Sequence, residues 1–404
     1  MQQRVAITGL GAISSPGHTA KQFWRTLVSG TSAIAPLGSL AEGSRIQIGA
    51  IVNDYAPETY FTPDKLPLLD RFSQFAVIAA TEALADAGLK PHSEATHHAA
   101  AIIGTGCGGK QTDEETYAHL YKNGRTRAHP MTIPKGMPSA AACQVSLNLG
   151  IGGPVFSVAS ACASGAHAII QASLLIQSGI VDIALAGGTD SPFTYGLLKS
   201  WEALRVVSND TCRPFSANRS GMVLGEGAGM LVLESEKHAR HRNARIYAEL
   251  AGFGMSSDAS HITRPDVNGI TLAMQRALES TNTAAESVSY INAHGTGTTA
   301  NDKTETEALH KAFGRHASTL AISSTKSMHG HALGASSALE LVATTLAIHH
   351  QIAPPTANFT EADEDCDLDY IPNEARPMQI HAALSNAFAF GGLNAVTVVK
   401  KPEF

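Results

Sequence analysis

Short apolar segments rich in β-branched residues alternate along the chain with longer segments of helical periodicity. In the first half the apolar segments lie at 4–11 (RVAITGLG), 97–106 (HHAAAIIGTG), 181–188 (VDIALAGG) and 229–234 (GMLVLE). Between them, the segment RFSQFAVIAATEALADAG at 71–88 has apolar residues spaced as on one face of a helix. Such short apolar runs indicate strands buried on both faces, and their alternation with helices predicts an α/β fold.

The second half of the chain repeats this order. A helical pattern at 269–280 precedes an apolar segment at 287–295, and an apolar segment at 319–325 precedes a helical pattern at 331–350. Apolar segments near 382–400 predict a closing pair of strands.

Two corners of the chain are alike in their small residues. The segments at 155–176 and 320–348 are each an apolar strand, a corner of small residues and a long helix that begins with Ala, Gly and Ser. Small residues let two helix axes approach closely, so we expect these helices to pack back to back at the centre of the molecule. The chain is therefore predicted to form two similar halves, 1–240 and 241–404, that share one core.

Composition and charge narrow the class of protein. Of 404 residues, 44% are hydrophobic and 16% are charged, which favours a large buried core and an enzyme. The net charge is −6, and basic residues form only short runs such as 237–245. Both observations argue against nucleic acid as a partner. No run of about 20 apolar residues predicts a membrane span. The cysteines are odd in number and have no CxxC spacing, which favours a reducing, cytoplasmic location over disulfides or structural zinc. They are Cys107, Cys143, Cys162, Cys212 and Cys366.

Cys162 is a candidate nucleophile because of its place at the first turn of a predicted helix. Unpaired backbone N–H groups and the positive end of the helix dipole favour a thiolate there. The alternative is a small apolar residue in a crowded core, which is the usual role of a lone cysteine.

Two corners with histidines offer partners for such a thiolate. His294 ends a predicted strand in YINAHGTGTT, and Lys326, His329 and His331 precede the small-residue helix. Histidines at strand ends beside glycines suit donors around one reaction centre, although a single histidine is more often structural. A metal site is the competing interpretation, but the spacing has no HExxH pattern and no accompanying carboxylate.

The segment LSNAFAFGGLNAV near the C-terminus contains Phe388 and Phe390 before two glycines. One interpretation is a core aromatic cluster with a tight turn. The other is a backbone N–H at Phe390 that stabilises an oxyanion, with an aromatic ring that controls access.

Two further motifs are weaker. GLGAISS after the first strand lacks the full GxGxxG pattern, which argues against dinucleotide binding. Ser323 lies three residues before Lys326, the SxxK spacing of serine acyl enzymes, but no SDN or KTG motif accompanies it.

With Cys162, His294, Lys326 and His331 followed by FAFGG, in that order, the chain resembles the elongating β-ketoacyl-acyl carrier protein synthases. The resemblance extends from VAITGLGAISSPG through RPFSANRSGMVLGEGAGMLVLE and NAHGTGTTANDKTE to SNAFAFGGLN. It implies the thiolase fold, which has two similar βαβαβαββ halves in an αβαβα arrangement. It also implies decarboxylative condensation of an acyl group with malonyl-acyl carrier protein, without metal or other cofactor.

The resemblance assigns roles to single residues. Cys162 corresponds to the acyl-accepting nucleophile, and His294 and His331 correspond to the histidines that bind the malonyl thioester carbonyl. Lys326 matches the lysine that orders this site, with Glu305 as its expected acidic partner. The backbone N–H groups of Cys162 and Phe390 match the oxyanion hole. Phe390 and Phe388 match the gate, and Thr296 and Thr298 match the residues that contact the phosphopantetheine arm.

The family implies acyl carrier protein as a partner and a dimer, either of identical subunits or with a chain-length-factor-like subunit. The chain differs from the usual fatty-acid enzymes at Ala389 and Leu393, where Gly and Thr are common, and at the bulky Trp201. These differences favour a dedicated polyketide or aryl polyene pathway, while fatty-acid elongation stays open.

Two other functions also stay open. One is a non-catalytic partner subunit of a condensing heterodimer, although such partners typically lack the cysteine. The other is a thiolase-like or SxxK acyltransferase or hydrolase, although AFAFGGLN has no second catalytic cysteine of the thiolase kind.

Overall fold

A computed structural model describes residues 3–281 and 283–403 of the chain. Its strands are β1 Val5–Ser14, β2 Ala35–Pro36, β3 Ile48–Gly49, β4 Ala100–Gly104, β5 Val155–Val158, β6 Ile183–Asp190, β7 Gly227–Ser235, β8 Ala248–Ser257, β9 Val288–Asn292, β10 Ala321–Ser323, β11 Ile352–Ala353, β12 Arg376–Pro377, β13 Ala382–Ala389 and β14 Leu393–Lys400.

The α-helices occupy the connections between these strands. They are α1 Ala20–Val28, α2 Arg71–Asp86, α3 Glu94–His97, α4 Lys110–Tyr117, α5 Thr132–Gly136, α6 Ala140–Leu149, α7 Ser164–Gln177, α8 Tyr195–Leu204, α9 Glu236–His241, α10 Val267–Ser280, α11 Thr299–Phe313, α12 Lys326–His329 and α13 Ser336–His350.

Ten of the strands form one sheet that repeats the same strand order in each half. The order is β10-β9-β13-β14-β8-β1-β7-β6-β4-β5. Counted along each half, both sets of five strands follow the order third, second, fourth, fifth, first. A short antiparallel pairing of β1 with β8, from Val5 to Ile7, joins the two sets. This repeat confirms the prediction of two similar halves, while the boundary between 240 and 241 stays a prediction that the strand order supports.

Helices α7 and α13 lie next to each other at the centre of the molecule. A Cβ placed on Gly165 of α7 would lie 2.9 Å from the carbonyl oxygen of Gly334 and 3.0 Å from Cβ of Ala338 in α13. Every residue of α13 from Ser336 to Ile348 is buried. The small residues at these helix starts therefore permit the close approach that the sequence predicts.

Each central helix follows a residue with left-handed backbone. Ala161 before α7 and Leu333 before α13 both have φ of +49°. Short 3₁₀ turns at 161–163 and 333–335 connect these residues to the helices. The two corners thus share one backbone form, which is uncommon for residues with a Cβ.

Within the described residues, no helix has both the length and the apolar character needed to cross a membrane.

Candidate active site

One cavity of about 280 Å³ brings together most of the side chains singled out in the sequence. Cys162, His294 and His331 line it, together with Phe388 and Phe390. Their elements come from both halves of the chain: Cys162 precedes α7, His294 follows β9, and His331 precedes α13. A cavity with several convergent polar groups is the usual form of a substrate site.

Cys162 is almost fully buried, with 8% of its surface exposed. Burial raises the pKa of its thiol to about 12, while the positive charge of Lys326 and the backbone N–H groups of Phe390 and Cys162 act in the opposite direction. The N–H groups at this corner thus favour the thiolate, as the sequence indicates, but they do not lower the pKa of the thiol below its ordinary value. Desolvation of the charged sulfur outweighs these favourable contacts.

The rings of the two cavity histidines are in contact and nearly perpendicular, with centroids 5.6 Å apart and planes at 85°. Nδ1 of His331 accepts a hydrogen bond from the backbone N–H of Leu333 at 3.1 Å. The single proton of a neutral ring is then on Nε2. Nδ1 of His294 lies 3.4 Å from Nζ of Lys326, which places a donor at the same ring position.

Both imidazoles are held in the neutral form. Burial, followed by the charge of Lys326, lowers the pKa of His294 and His331 well below the ordinary value. A neutral ring whose Nδ1 accepts is a hydrogen-bond donor through Nε2. The pair therefore supplies two N–H donors to the cavity.

Lys326 forms its ion pair with Glu340 of α13, and both side chains are fully buried. Its Nζ also donates to the carbonyl oxygen of His294 at 2.6 Å. The expected pairing of Lys326 with Glu305 is therefore wrong.

Glu305 instead shapes the turn that carries His294. Its carboxylate accepts the backbone N–H groups of His294 and Gly295, each at 2.8 Å. The side-chain amide of Asn386 donates to the same carboxylate at 3.1 Å. Glu305 thus acts on the backbone of the corner rather than on the lysine, because α11 points its carboxylate at the end of β9.

The turn that carries Phe390 connects β13 to β14. Gly391 and Gly392 have φ of +87° and +69°. The N–H of Gly391 donates to the carbonyl oxygen of Ile262 at 2.7 Å, and the N–H of Asp258 donates to that of Gly392 at 2.9 Å. A left-handed backbone at two successive positions suits glycine, so the paired glycines make this tight turn possible.

Thr296 and Thr298 also line the cavity, and their hydroxyl oxygens lie 2.9 Å apart. Thr298 additionally caps α11, because its side chain accepts the N–H of Asn301.

Two residues of the remaining motifs lie away from the cavity lining. Nε2 of His329 lies 3.0 Å from the hydroxyl of Thr325, and the ring packs against Phe23. The hydroxyl of Ser323 bonds to that of Tyr290 at 2.9 Å in the core. The cavity geometry does not favour a Ser323 acyl enzyme.

Asp190, at the end of β6, lies behind the cavity and joins its corners, a role that was not predictable from the motifs. Its buried carboxylate accepts the hydroxyl of Thr105 at 2.8 Å and the N–H groups of Gly106, Cys107 and Gly334 at 2.8, 2.9 and 2.6 Å. Burial raises its pKa to about 6. A carboxylate at the end of an otherwise apolar strand is the available signal, since a buried charge needs partners.

Glu340 is the second missed residue. It is the only charged side chain in the apolar run 332–348, so its burial in a central helix also demands a partner.

Family models match both halves of the chain. A model described as the N-terminal domain of beta-ketoacyl synthase matches residues 2–239, and one described as the C-terminal domain matches 247–360.

Curated relatives match over almost the full length. The chain is 50% identical to Nodulation protein E of Rhizobium sp. (strain N33), over 99% of this chain and 100% of that protein. It is 42% identical to 3-oxoacyl-[acyl-carrier-protein] synthase 2 of Coxiella burnetii, over 99% of each chain.

Solved structures share the fold closely. The ishigamide ketosynthase/chain length factor matches with a TM-score of 0.94 and 34% identity, over 100% of both chains. A type II PKS ketosynthase, bound to the hexaketide and in complex with its acyl-carrier protein, matches with a TM-score of 0.92 and 32% identity, also over 100% of both chains.

Proposed function

Because the chain belongs to the β-ketoacyl synthase family and condenses acyl groups with malonyl-acyl carrier protein, we propose that Cys162 carries the acyl group as a thioester. The observation that carries this proposal is the single cavity in which Cys162 meets His294 and His331. The reaction serves fatty acid or polyketide synthesis.

The first step transfers the acyl group from its carrier to Cys162. The sulfur attacks the thioester carbonyl, the bond to the carrier sulfur breaks, and the thiol proton leaves with the carrier thiol. The backbone N–H groups of Cys162 and Phe390 stabilise the oxygen that gains charge, because both already lie close enough to the sulfur to lower its pKa.

The second step uses the two histidines. Nε2–H of His294 and of His331 donates to the malonyl thioester carbonyl while the bond to the carboxylate breaks and carbon dioxide leaves. The resulting enolate carbon attacks the acyl carbonyl on Cys162, the carbon–sulfur bond breaks, and the sulfur leaves as a thiolate that takes up a proton from solvent. Because both rings are neutral, they donate hydrogen bonds to the enolate oxygen and keep their protons. Such hydrogen bonds stabilise the enolate most where the cavity excludes water.

Supporting residues hold these groups in place. Lys326, paired with Glu340, fixes the carbonyl and ring of His294, and Glu305 fixes the backbone of the same corner. Thr296 and Thr298 contact the phosphopantetheine arm of the carrier. Phe388 and Phe390 gate the entrance, and no metal or other cofactor takes part in the chemistry.

The proposed partners are an acyl carrier protein and a second subunit. Strand β5 is the last strand of the sheet, and Phe156 on it is 39% exposed, so this edge favours pairing with another chain. Light scattering on the purified protein is expected to give the mass of a dimer, and Phe156→Glu is expected to give a monomer. A monomeric wild type would contradict the proposal.

A cytoplasmic location belongs to the same proposal. All five cysteines are free thiols, which persist best in a reducing compartment.

Mass spectrometry after incubation with an acyl carrier protein thioester tests the assignment of the nucleophile. We expect the acyl mass on the peptide that contains Cys162. An acyl mass on Ser323 would support a serine acyl enzyme, and no acyl mass would support a non-catalytic partner subunit.

The variant His294→Ala tests the division of labour. We expect condensation to fall about 10²–10³-fold, because one donor to the enolate is lost, while Cys162 is still acylated. His310→Ala, at an exposed histidine, is the control and is expected to leave both steps unchanged. Equal loss of acylation and condensation in His294→Ala would contradict the assignment.

A further inference from the structure

Trp201 lies against the ring of Phe390 in the lining of the active-site cavity. The ring centroids are 6.1 Å apart and the planes differ by 30°, which is a stacked arrangement. Both side chains line the cavity, and both are half-buried. An aromatic pair of this kind attracts beyond the apolar area that it buries.

The tryptophan side of this contact is firmly held. Trp201 packs against a buried cluster that includes Leu198 and Met222. Helix α8, which carries it, is fixed at its start by Glu114, whose carboxylate accepts the N–H groups of Tyr195 and Gly196 at 2.8 and 2.7 Å.

The other end of α8 is fixed by Glu202. Its carboxylate accepts the N–H of Arg45 at 2.8 Å and pairs with Lys199 at 2.8 Å. The indole thus belongs to a wall that is clamped at both ends.

The phenylalanine side rests on the turn between β13 and β14, which the N–H of Gly392 closes by donating to the carbonyl oxygen of Ala389 at 3.0 Å. Gly391 and Gly392 have left-handed backbone, and two hydrogen bonds, to Ile262 and from Asp258, connect the turn to the segment around 258–266. The backbone N–H of Phe390 lies close enough to Cys162 to lower the pKa of its thiol. The ring and this N–H belong to one residue, so a shift of the Phe390 backbone moves both.

We infer that Trp201 is a positioning residue that holds Phe390 across the cavity entrance, with its backbone N–H directed at the sulfur of Cys162. The inference rests on the proposed role of that N–H in the oxyanion hole. Entry of a bulky thioester requires the two rings to separate, and their stacking returns the N–H to the sulfur afterwards. Trp201 thereby sets how readily large groups reach the nucleophile.

Alkylation of Cys162 by a small and a bulky reagent tests this inference without carrier protein or condensation. Iodoacetamide and N-phenylmaleimide both need the thiolate, so the ratio of their rates cancels any change in the thiol pKa. Mass spectrometry of the peptide that contains Cys162 separates its reaction from that of the other cysteines.

Trp201→Ala is expected to raise the ratio of maleimide to iodoacetamide rates roughly three- to tenfold, the size of one lost aromatic contact. Trp201→Phe keeps a ring and is expected to restore most of the wild-type ratio. Tyr195→Ala removes another half-exposed aromatic side chain from the same helix and is expected to leave the ratio unchanged. An unchanged ratio in Trp201→Ala, or an equal change in Tyr195→Ala, would overturn the inference.

Fluorescence provides a measurement that does not depend on a Trp201 variant that folds. The chain has two tryptophans, and the other, Trp24, stacks on His350. In a Trp24→Phe background, modification of Cys162 by N-phenylmaleimide is expected to move the Trp201 emission to longer wavelength, because the indole loses its ring contact. An emission that stays constant when Cys162 is modified would also overturn the inference. Failure of either test leaves the role of Cys162 intact, which acylation measures separately.

Discussion

At the scale of single residues, the balance at Cys162 is between burial and stabilisation of charge. The start of α7, Lys326 and two backbone N–H groups all favour a thiolate, yet desolvation raises the thiol pKa to about 12. At neutral pH the resting sulfur is therefore protonated and is activated only as its proton leaves during acyl transfer.

This balance predicts the pH dependence of Cys162 alkylation. Because the thiolate fraction rises tenfold per pH unit below the pKa, the rate with iodoacetamide is expected to rise about tenfold per unit from pH 7 to 10 without a plateau. Quantitative mass spectrometry of the Cys162 peptide measures it.

The unfolded chain in denaturant is the control for this experiment. Its thiols have an ordinary pKa of about 8.5, so their rates are expected to level off near pH 9.5. A similar plateau in the folded protein would contradict the buried thiol.

The candidate catalytic residues were predictable from the sequence where a reactive residue type coincides with a corner at the end of a predicted strand. Cys162, His294 and His331 meet in one cavity as predicted. The partner of Lys326 was not predictable from spacing, because Glu305 and Glu340 each lie on a helix that follows a histidine corner. The packing of α13 decides between the two glutamates, because it buries Glu340, the only charged side chain in 332–348, next to Lys326.

At the scale of elements, periodicity located the strands and helices well but misplaced some ends. The predicted helix at 331–350 begins at Ser336, because Leu333 has left-handed backbone and the N–H of His331 bonds to the carbonyl oxygen of Val223. The pattern of apolar residues does not reveal such a turn, because small residues fit both a turn and a helix. Helix α8 was not predictable as a wall of the cavity, because only its bulky Trp201 stands out in the sequence, yet Trp201 and Leu204 both line the cavity.

At the scale of the whole molecule, the repeat of small-residue corners was enough to predict two similar halves. The order of the strands and the pairing of β1 with β8 were not predictable, because sheet order depends on contacts between distant segments. The polar contacts that join the halves were also missed. Asp190 is the clearest example, since its carboxylate on β6 accepts the N–H of Gly334 beside α13.

The variant Asp190→Asn is expected to weaken both stability and condensation. An amide accepts through only one oxygen, so buried N–H groups lose their acceptor, at a cost of about 1–3 kcal/mol each. Urea unfolding measures the first effect and condensation rate the second.

Asp365→Asn provides the matched control for Asp190→Asn, because Asp365 pairs with Lys303 at the surface. A surface pair contributes about 0–1 kcal/mol, so this variant is expected to stay near wild type. Equal effects of the two substitutions on the free energy of unfolding and on the condensation rate would contradict the role of Asp190 in joining the halves.

Of the two matching left-handed corners, the second has no counterpart of Cys162. Counted from Ala161 and Leu333, Gly334 stands where Cys162 stands in the first half. A Cβ there would lie 2.5 Å from the nitrogen of Gly106 and 2.7 Å from the Asp190 carboxylate. The Asp190 carboxylate and the backbone of Gly106 thus leave no room for a side chain at position 334, so the corner of the second half cannot hold a counterpart of Cys162.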